Sequence, residues 1–531
     1  MKNSQLIKPL LIGIMMSIIF NVAKADGFTV GNFQYQINSD GKSVTVFLYP
    51  RYSNYNGAIS IPSSVTYMDN TYKVTDIGAE AFSGCYGMTS VTIPNTITNI
   101  CYRAFTGCSG LTSITIPSSV CLIGKEAFNS ANLTTVYWNV IECNDFTYSS
   151  SPFSNNLNTI YFGENVVKVP AYLCYQRTNL TSLSLPNSVS TIGDYAFEGC
   201  TSLSTLNIPS SLTSIGTYAF SGCNGLTAIT VDDGNPNYNS KDNCNAIIRT
   251  NTNALIVGCR NTIIPNSVTM IDDRSFYNCT GLTSINIPYS VTTIGYEAFY
   301  NCTGLNSFSI PESVTSIGAY AFCYCSGLTT VNLPNITNLG GCAFMHCNSL
   351  KSVDVGYSLT SINNATFCDC TGLTSVNIGN SVTAIGYEAF GNCTGLTSFV
   401  IPESVKSIGA YAFSECSNLT SVTIGKSVTD ISYYAFSHCN KLRNIYSKIM
   451  NPENTTCGND VFEGVSKNYC KLYVPQGTSE LYQFTAPWNE FLNIIEEGGN
   501  GQTNIKGDVN GDGVVTAADV TAIYDILLGV E

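Results

Sequence analysis

One segment of this chain is repeated many times. Leu282-Thr-Ser-Ile-Asn-Ile-Pro-Tyr-Ser-Val-Thr-Thr-Ile-Gly-Tyr-Glu-Ala-Phe-Tyr-Asn-Cys302 aligns with Leu396-Thr-Ser-Phe-Val-Ile-Pro-Glu-Ser-Val-Lys-Ser-Ile-Gly-Ala-Tyr-Ala-Phe-Ser-Glu-Cys416, and the shared pattern is LTSVxIPxSVTxIGxxAFxxCxx. Its Phe recurs at Phe82, Phe105 and Phe128, at Phe197 and Phe220, and at Phe276, Phe299, Phe322, Phe344, Phe367, Phe390, Phe413 and Phe436, spaced by 23 residues and once by 22 within each run. A fixed period of that length means stacked units, because one unit cannot bury its apolar face alone.

Each part of the unit has a physical reading. LTSVxI turns Leu, Val and Ile inward and small polar residues outward. This predicts a short strand that pairs with its copies in adjacent coils about 4.8 Å away. Pro ends the strand because it has no N–H to donate. SVTxIG supplies a second inward Val and Ile, with Gly expected to permit a tight corner. AFxxC reads as a helical or 3₁₀ turn that drives Phe inward. About six apolar side chains per coil, at about 1.5–3 kcal/mol each, must offset an ordering entropy of similar size, so stability should be nearest-neighbour and need end caps. The expected fold class is an α/β repeat solenoid: a right-handed, leucine-rich-repeat-type β-solenoid with short helical or 3₁₀ turns, a hairpin N-cap and a small helical calcium-loop module at the C-terminus.

The organisation follows from where the pattern holds. Residues 26–75 alternate Phe28, Val30, Phe33 and Tyr35, then Val44, Val46 and Leu48 about a Ser39-Asp40-Gly41 turn, and read as an N-terminal capping hairpin region. Residues 76–439 carry the repeats. They are irregular at 132–180, where coils degenerate around Phe153 and Leu173, and interrupted at 229–262 by what reads as a hairpin insertion. Residues 440–496 lose the pattern and read as a C-terminal cap, with Leu472-Tyr-Val-Pro475 and Trp488 to Ile495 closing the end. Residues 497–506 are a linker.

These units resemble the BspA-like leucine-rich repeat family across roughly residues 27–496. The resemblance rests on IPxSVTxIGxxAFxxC, on IPSSVTYMDNTYKVTDIGAEAF at residues 61–82 and on KLYVPQGTSELYQFTAPWNEF at residues 471–491. It implies a secreted or surface protein, in some members an adhesin, and no catalytic residues.

Twelve of the 23 Cys stand three residues after the repeat Phe: Cys85, Cys108, Cys200, Cys223, Cys279, Cys302, Cys325, Cys347, Cys370, Cys393, Cys416 and Cys439. They read either as a disulfide or metal framework or as a column of small buried side chains. Stacked copies about 4.8 Å apart with parallel Cβ vectors suit free thiols better than bridges. Ala131 at the same site in one coil fits packing.

Composition narrows the chemistry. There are 23 Lys and Arg against 36 Asp and Glu, and three of those Lys lie in the first 25 residues, so a phosphate-backbone reader is excluded as the leading idea. Two His leave little acid–base or His–metal chemistry. His346 and His438 each precede a ladder Cys four coils apart, about 20 Å at sheet spacing, too far to share a metal or a substrate atom. No G-x-S-x-G, HExxH or phosphate loop occurs. The chain is therefore expected not to be an enzyme.

The binding surface is read from the outward positions. One column runs Ser284, Ser307, Thr330, Ser352, Ser375, Ser398 and Ser421; the next runs Asn286, Ser309, Asn332, Asp354, Asn377, Val400 and Thr423. Short uncharged polar groups suit a glycan or an extended peptide, and equally suit solubility. Tyr recurs two residues before Phe (Tyr195, Tyr218, Tyr320, Tyr411, Tyr434) or three before (Tyr296, Tyr387, Tyr433), placed either to bind or to stack on the next copy.

The two ends add an address and a metal site. Residues 1–25 have a basic start, an apolar run from Leu10 to Phe20 and the small-x-small triplet Ala23-Lys24-Ala25, which together read as a signal peptide cleaved after Ala25. At 507–531, Asp508, Asn510, Asp512, Val514 (through its carbonyl), Thr516 and Asp519 fall at positions 1, 3, 5, 7, 9 and 12 of a loop that would hold one Ca2+, with Gly513 at the bend. A helix with Val520, Ile523, Ile526 and Leu527 on one face is expected after it. The segment resembles a dockerin repeat, DxNxDGxxxxxDxxxxxxxLL, which implies a cohesin-like partner. The family pattern has two repeats and this chain has one; the partner-selecting loop positions 10 and 11 are Ala517 and Ala518.

The expected protein is exported, non-catalytic and built for surface recognition or adhesion toward a protein or glycan ligand, with a calcium-dependent docking tail. The alternative is a scaffold component of an extracellular cohesin–dockerin-type assembly. Neither nucleic acid nor a membrane span is expected.

Overall fold

The computed structural model describes residues 27–48, 55–129, 131–306, 308–498 and 503–505. The expected signal peptide, the six calcium ligands, their helix, and Ser307 of the outward column lie outside the described residues. Two compact units result, one of residues up to 203 with 209–220, the other of 204–208 with 221 onward.

In the first unit, Phe28–Val30, Phe33–Ile37 and Ser43–Leu48 form an antiparallel ribbon. Asp40 holds its turn by accepting from the N–H of Lys42 at 2.8 Å and of Ser43 at 2.9 Å. Ser43–Leu48 then pairs in parallel with Asn70–Ile77, and the coils begin. LTSVxI becomes the strands Ser113–Ile116, Thr135–Trp138, Thr159–Phe162 and Ser182–Ser184, all parallel and in register. TxI becomes two-residue strands such as Asn99–Ile100 against Leu122–Ile123. The irregular stretch keeps the core: Phe153 stacks on Phe128 with ring centres 5.7 Å apart, and Leu173 is fully buried.

The second unit repeats this plan. Its insertion is the antiparallel set Tyr238–Asn239, Ala246–Arg249 and Ala254–Gly258, which rejoins the parallel short-strand ladder at Met270–Ile271. From Phe276 to Phe462 the rings form one stack, with centres 4.9–5.6 Å apart and planes within 14°. The coil of Leu396, Phe399, Ile401, Val405, Ile408, Ala412, Phe413 and Cys416 buries all eight side chains, which vanish from water only because neighbouring coils cover them. At the far end Lys471–Val474 pairs with Asn493–Glu496 over the buried Trp488 and Tyr482. The reversed strand Thr503–Ile505 then covers the edge that would otherwise template pairing with another chain.

The structure corrects two local readings. AFxxC is not a continuous helix but a run of four-residue turns. The N–H groups of Ala81, Ser83 and Cys85 donate three residues back, while those of Glu80, Phe82 and Gly84 donate to Tyr102, Ala104 and Thr106 of the next coil. This alternation needs left-handed backbone two residues before and two after the Phe. Tyr411 (φ 58) and Glu415 (φ 60) flank Phe413 in this way, and His346 (φ 60) and His438 (φ 55) occupy the second site. That site is filled chiefly by Gly, Asn, Asp and His, the residues that enter this region most cheaply. The Gly of xIG, by contrast, is not left-handed. A Cβ on Gly409 would stand 2.5 Å from the carbonyl carbon of Gly386, and one on Gly318 2.6 Å from that of Gly295, so these glycines allow adjacent coils to approach closely.

Candidate functional site

The long-strand face carries the outward columns. The pairing places Thr330 beside Ser352 beside Ser375, and Asn332 beside Asp354 beside Asn377. Part of this surface is spent on the fold. The Thr of LTS donates to the preceding coil, as Thr374 does to the Lys351 carbonyl at 3.1 Å and Thr420 to that of Thr397 at 2.8 Å. The second column is less committed: Asn286, Ser309 and Asn332 are exposed.

The ladder is not continuous along this face, contrary to the expectation of uninterrupted pairing. Ser375–Asn377 pairs only with Ser352–Asp354, and Ser398–Val400 only with Ser421–Ile424. Two coils earlier than Thr330–Asn332 the strand reduces to a single bridge at Ser284, and Phe308–Ile310 forms none. Both lesions coincide with a larger inward side chain. Phe308 and Phe399 occupy the inward site that holds Val331, Val353, Val376 and Val422 elsewhere. The Phe399 ring lies 5.0 Å from that of Phe390 and 4.6 Å from that of Phe413, and the Phe308 ring lies 4.8 Å from that of Phe322. A ring in a slot sized for Val is expected to strain the backbone around it. The short strands stay paired through the same coils, as Ala384–Ile385 does with Ser407–Ile408, so only the long-strand face opens.

Each opening leaves a cleft. One, of about 350 Å³, lies among Val376, Asn377, Val400, Pro402, Glu403 and Lys448. The other, of about 750 Å³, lies among Asn286, Tyr289, Ser309, Pro311, Glu312 and Asn332. Sequence reasoning missed both, although the Phe in LNSFSI and LTSFVI was the available signal.

The Tyr groups divide between the two readings given to them. Rings stack across coils, Tyr277 on Tyr300 at 5.0 Å and Tyr411 on Tyr434 at 5.1 Å, while Tyr320 and Tyr433 stay 36% and 47% exposed. They form a ridge on the turn edge whose faces are largely covered by one another.

The cysteines build a column that is core rather than chemistry. All 23 thiols are unbridged, and the twelve of the ladder are buried. Eight of the ladder sulfurs also donate to a Phe carbonyl one coil back, among them Cys325 to Phe299 at 3.1 Å and Cys393 to Phe367 and Cys439 to Phe413 at 3.2 Å, while Cys200 donates to the Cys174 carbonyl. This preference for a small group that still carries a donor explains Cys better than bulk alone. Burial pushes Cys108, Cys370 and Cys416 up to about 12, so no reactive thiolate forms there near neutrality. His346 lies 3.5 Å from the Asp369 carboxylate and His438 3.8 Å from that of Glu463, in separate places. Among the described residues no three His, Cys, Asp or Glu side chains converge to hold a metal, and no helix is long and apolar enough to cross a membrane.

Stacked coils of this period, with parallel strands on one face and a Phe–Cys core, define a leucine-rich-repeat solenoid. The BspA type leucine rich repeat region matches residues 75–176, 167–256, 246–374 and 360–484, and the chain belongs to that family. A leucine rich cell surface protein of Faecalibacterium prausnitzii is 30% identical, with a TM-score of 0.53 over 67% of this chain and 95% of its own. A leucine-rich repeat protein of Bacteroides ovatus is 24% identical over 79% of this chain and 94% of its own, with a TM-score of 0.43. The pneumococcal vaccine antigen PcpA is 20% identical over 73% and 94%, with a TM-score of 0.47. No curated protein matches the chain.

Proposed function

We propose that this chain is exported and acts at or beyond the cell surface as a non-catalytic recognition protein, its long-strand face taking up a protein or glycan ligand. The observation that carries the reading is the second outward column, where Asn286, Ser309, Asn332 and Asn377 stand exposed on the strand face, while the Thr of LTS beside the first column, as at Thr374 and Thr420, is spent on the ladder. The likeness to a cell surface protein of F. prausnitzii supports the location. Binding of the full chain to host-matrix proteins, whole cells and glycans tests it; recognition predicts saturable retention on one of these classes, and retention on none contradicts it.

A calcium-dependent docking tail is the second part of the proposal, motivated by Asp508, Asn510, Asp512, Val514, Thr516 and Asp519. Removing Ca2+ from such a loop unbalances its carboxylates, so docking should be reversed by EDTA and abolished by Asp512→Ala. The alternative role, as a component of a cohesin–dockerin-type scaffold, predicts a Ca2+-dependent complex from the producing cell that is lost when residues 507–531 are removed. A complex indifferent to Ca2+ contradicts both.

A further inference from the structure

The larger cleft on the long-strand face has a lining that selects one ligand chemistry. Its walls are apolar where the chain bends, with Pro288, Pro311 and Pro334. Tyr289 stands at the edge, 75% exposed and with no ring stacked on it among the described residues, unlike the mutually covered tyrosines of the turn edge. Between the walls lie the hydrogen-bonding side chains of Asn266, Asn286, Ser309 and Asn332, and Glu312 is the one ionic group.

Ser290, also in the lining, departs from the repeat. In other coils its counterpart donates to a carbonyl of the preceding coil: Ser313 to Val291 at 2.8 Å, Ser404 to Val382 at 2.7 Å, Ser211 to Val189 at 2.7 Å. The Ser290 hydroxyl is buried and has no partner. A buried hydroxyl without a hydrogen bond costs stability, so this coil departs from the repeat beside the cleft.

From these features we infer that this cleft binds a neutral oligosaccharide. Amides and hydroxyls both donate and accept, which matches the hydroxyl groups of a sugar. The open ring of Tyr289 and the half-exposed Pro311 and Pro334 offer flat apolar surface for the C–H face of a pyranose. With no Lys or Arg in the lining, a sulfated, phosphorylated or sialylated ligand would go unneutralised. The volume of about 750 Å³ lies in the range of small-ligand clefts, about 300–1,000 Å³. The inference rests on the reading of the strand face as a recognition surface and deepens it to one place and one chemistry.

The test is an oligosaccharide array containing neutral hexose, N-acetylhexosamine and deoxyhexose chains beside sialylated and sulfated ones, probed with the full chain. Titration of the best neutral binder follows. The inference predicts a neutral binder whose affinity falls about tenfold in Tyr289→Ala and again in Asn332→Ala, and is unchanged in Tyr469→Ala, a tyrosine equally exposed but remote in sequence from the cleft. Because Tyr289 is mostly in solvent, its variant keeps the fold, which circular dichroism confirms alongside. Retention of anionic chains only, of no glycan, or of a neutral glycan indifferent to both substitutions overturns the inference. If the chain holds a protein or peptide while ignoring every neutral glycan, the inference falls and the broader recognition reading stands.

Discussion

Consider Phe344→Ala. The ring is fully buried between Phe322, 5.2 Å away with planes 1° apart, and Phe367, 5.6 Å away at 8°. Truncating a buried Phe costs about 3–5 kcal/mol through lost transfer energy and the cavity left behind. Contact on both faces places this residue toward the upper end. Against this stands the stability a single coil contributes. At about 0.05–0.15 kcal/mol per residue, a 23-residue coil accounts for about 1–3.5 kcal/mol. The loss therefore exceeds what the coil itself supplies, and in a nearest-neighbour stack the damage should stay local. Hydrogen exchange read by mass spectrometry should show amides of the coils from Leu328 to Cys370 exchanging about a hundred- to several-thousand-fold faster, with amides beyond two coils unchanged. Uniform acceleration across the unit would refute nearest-neighbour stability, and a loss below about 1 kcal/mol would refute the load placed on the ring stack.

Three further outcomes follow from the same geometry. Phe399→Val should let Ser398–Val400 pair with Ser375–Asn377 and slow exchange of those amides about tenfold, despite the smaller buried surface; unchanged exchange would mean Phe399 is not the wedge. Glu415→Gly should raise stability by about 1 kcal/mol in urea unfolding by relieving left-handed backbone at an exposed side chain, whereas a loss would mean the side chain holds the turn. Stability should fall steeply above pH 9. The unfolded thiols ionise from that point while the native Cys108, Cys279, Cys370 and Cys416 hold their protons to about 12, so each costs about 1.4 kcal/mol per pH unit across that window. Thermal melts between pH 8 and 11 measure this, and a flat profile would contradict the buried column.

The stacking was legible because it is carried by side chains that recur in one phase. The inward Leu, Val, Ile, Phe and Cys could be assigned from period alone, and Ala131 marked the Cys site as packing. What escaped was set by contacts between coils. The left-handed sites flanking each Phe follow from a hydrogen-bond alternation that links adjacent turns, and the residues filling the first of them, such as Tyr411 and Glu388, do not advertise it. Gly409 looked like a corner residue but is small because the backbone of Gly386 lies against it. The two openings that hold the clefts coincide with one oversized ring at Phe308 and another at Phe399. Each is apolar and so obeys the repeat pattern; only volume separates it from the Val of other coils.

Counting reactive thiols in the native and denatured protein tests the stacked-core account most directly. In the absence of reductant, the native chain should react fast at Cys121, slowly at the half-buried Cys101, Cys342 and Cys457, and scarcely at the nineteen buried cysteines; denaturant should release all 23. Rapid labelling of ladder cysteines such as Cys393 in the native state, or fewer than 23 thiols after denaturation, would contradict a solenoid held by a buried column of free cysteines.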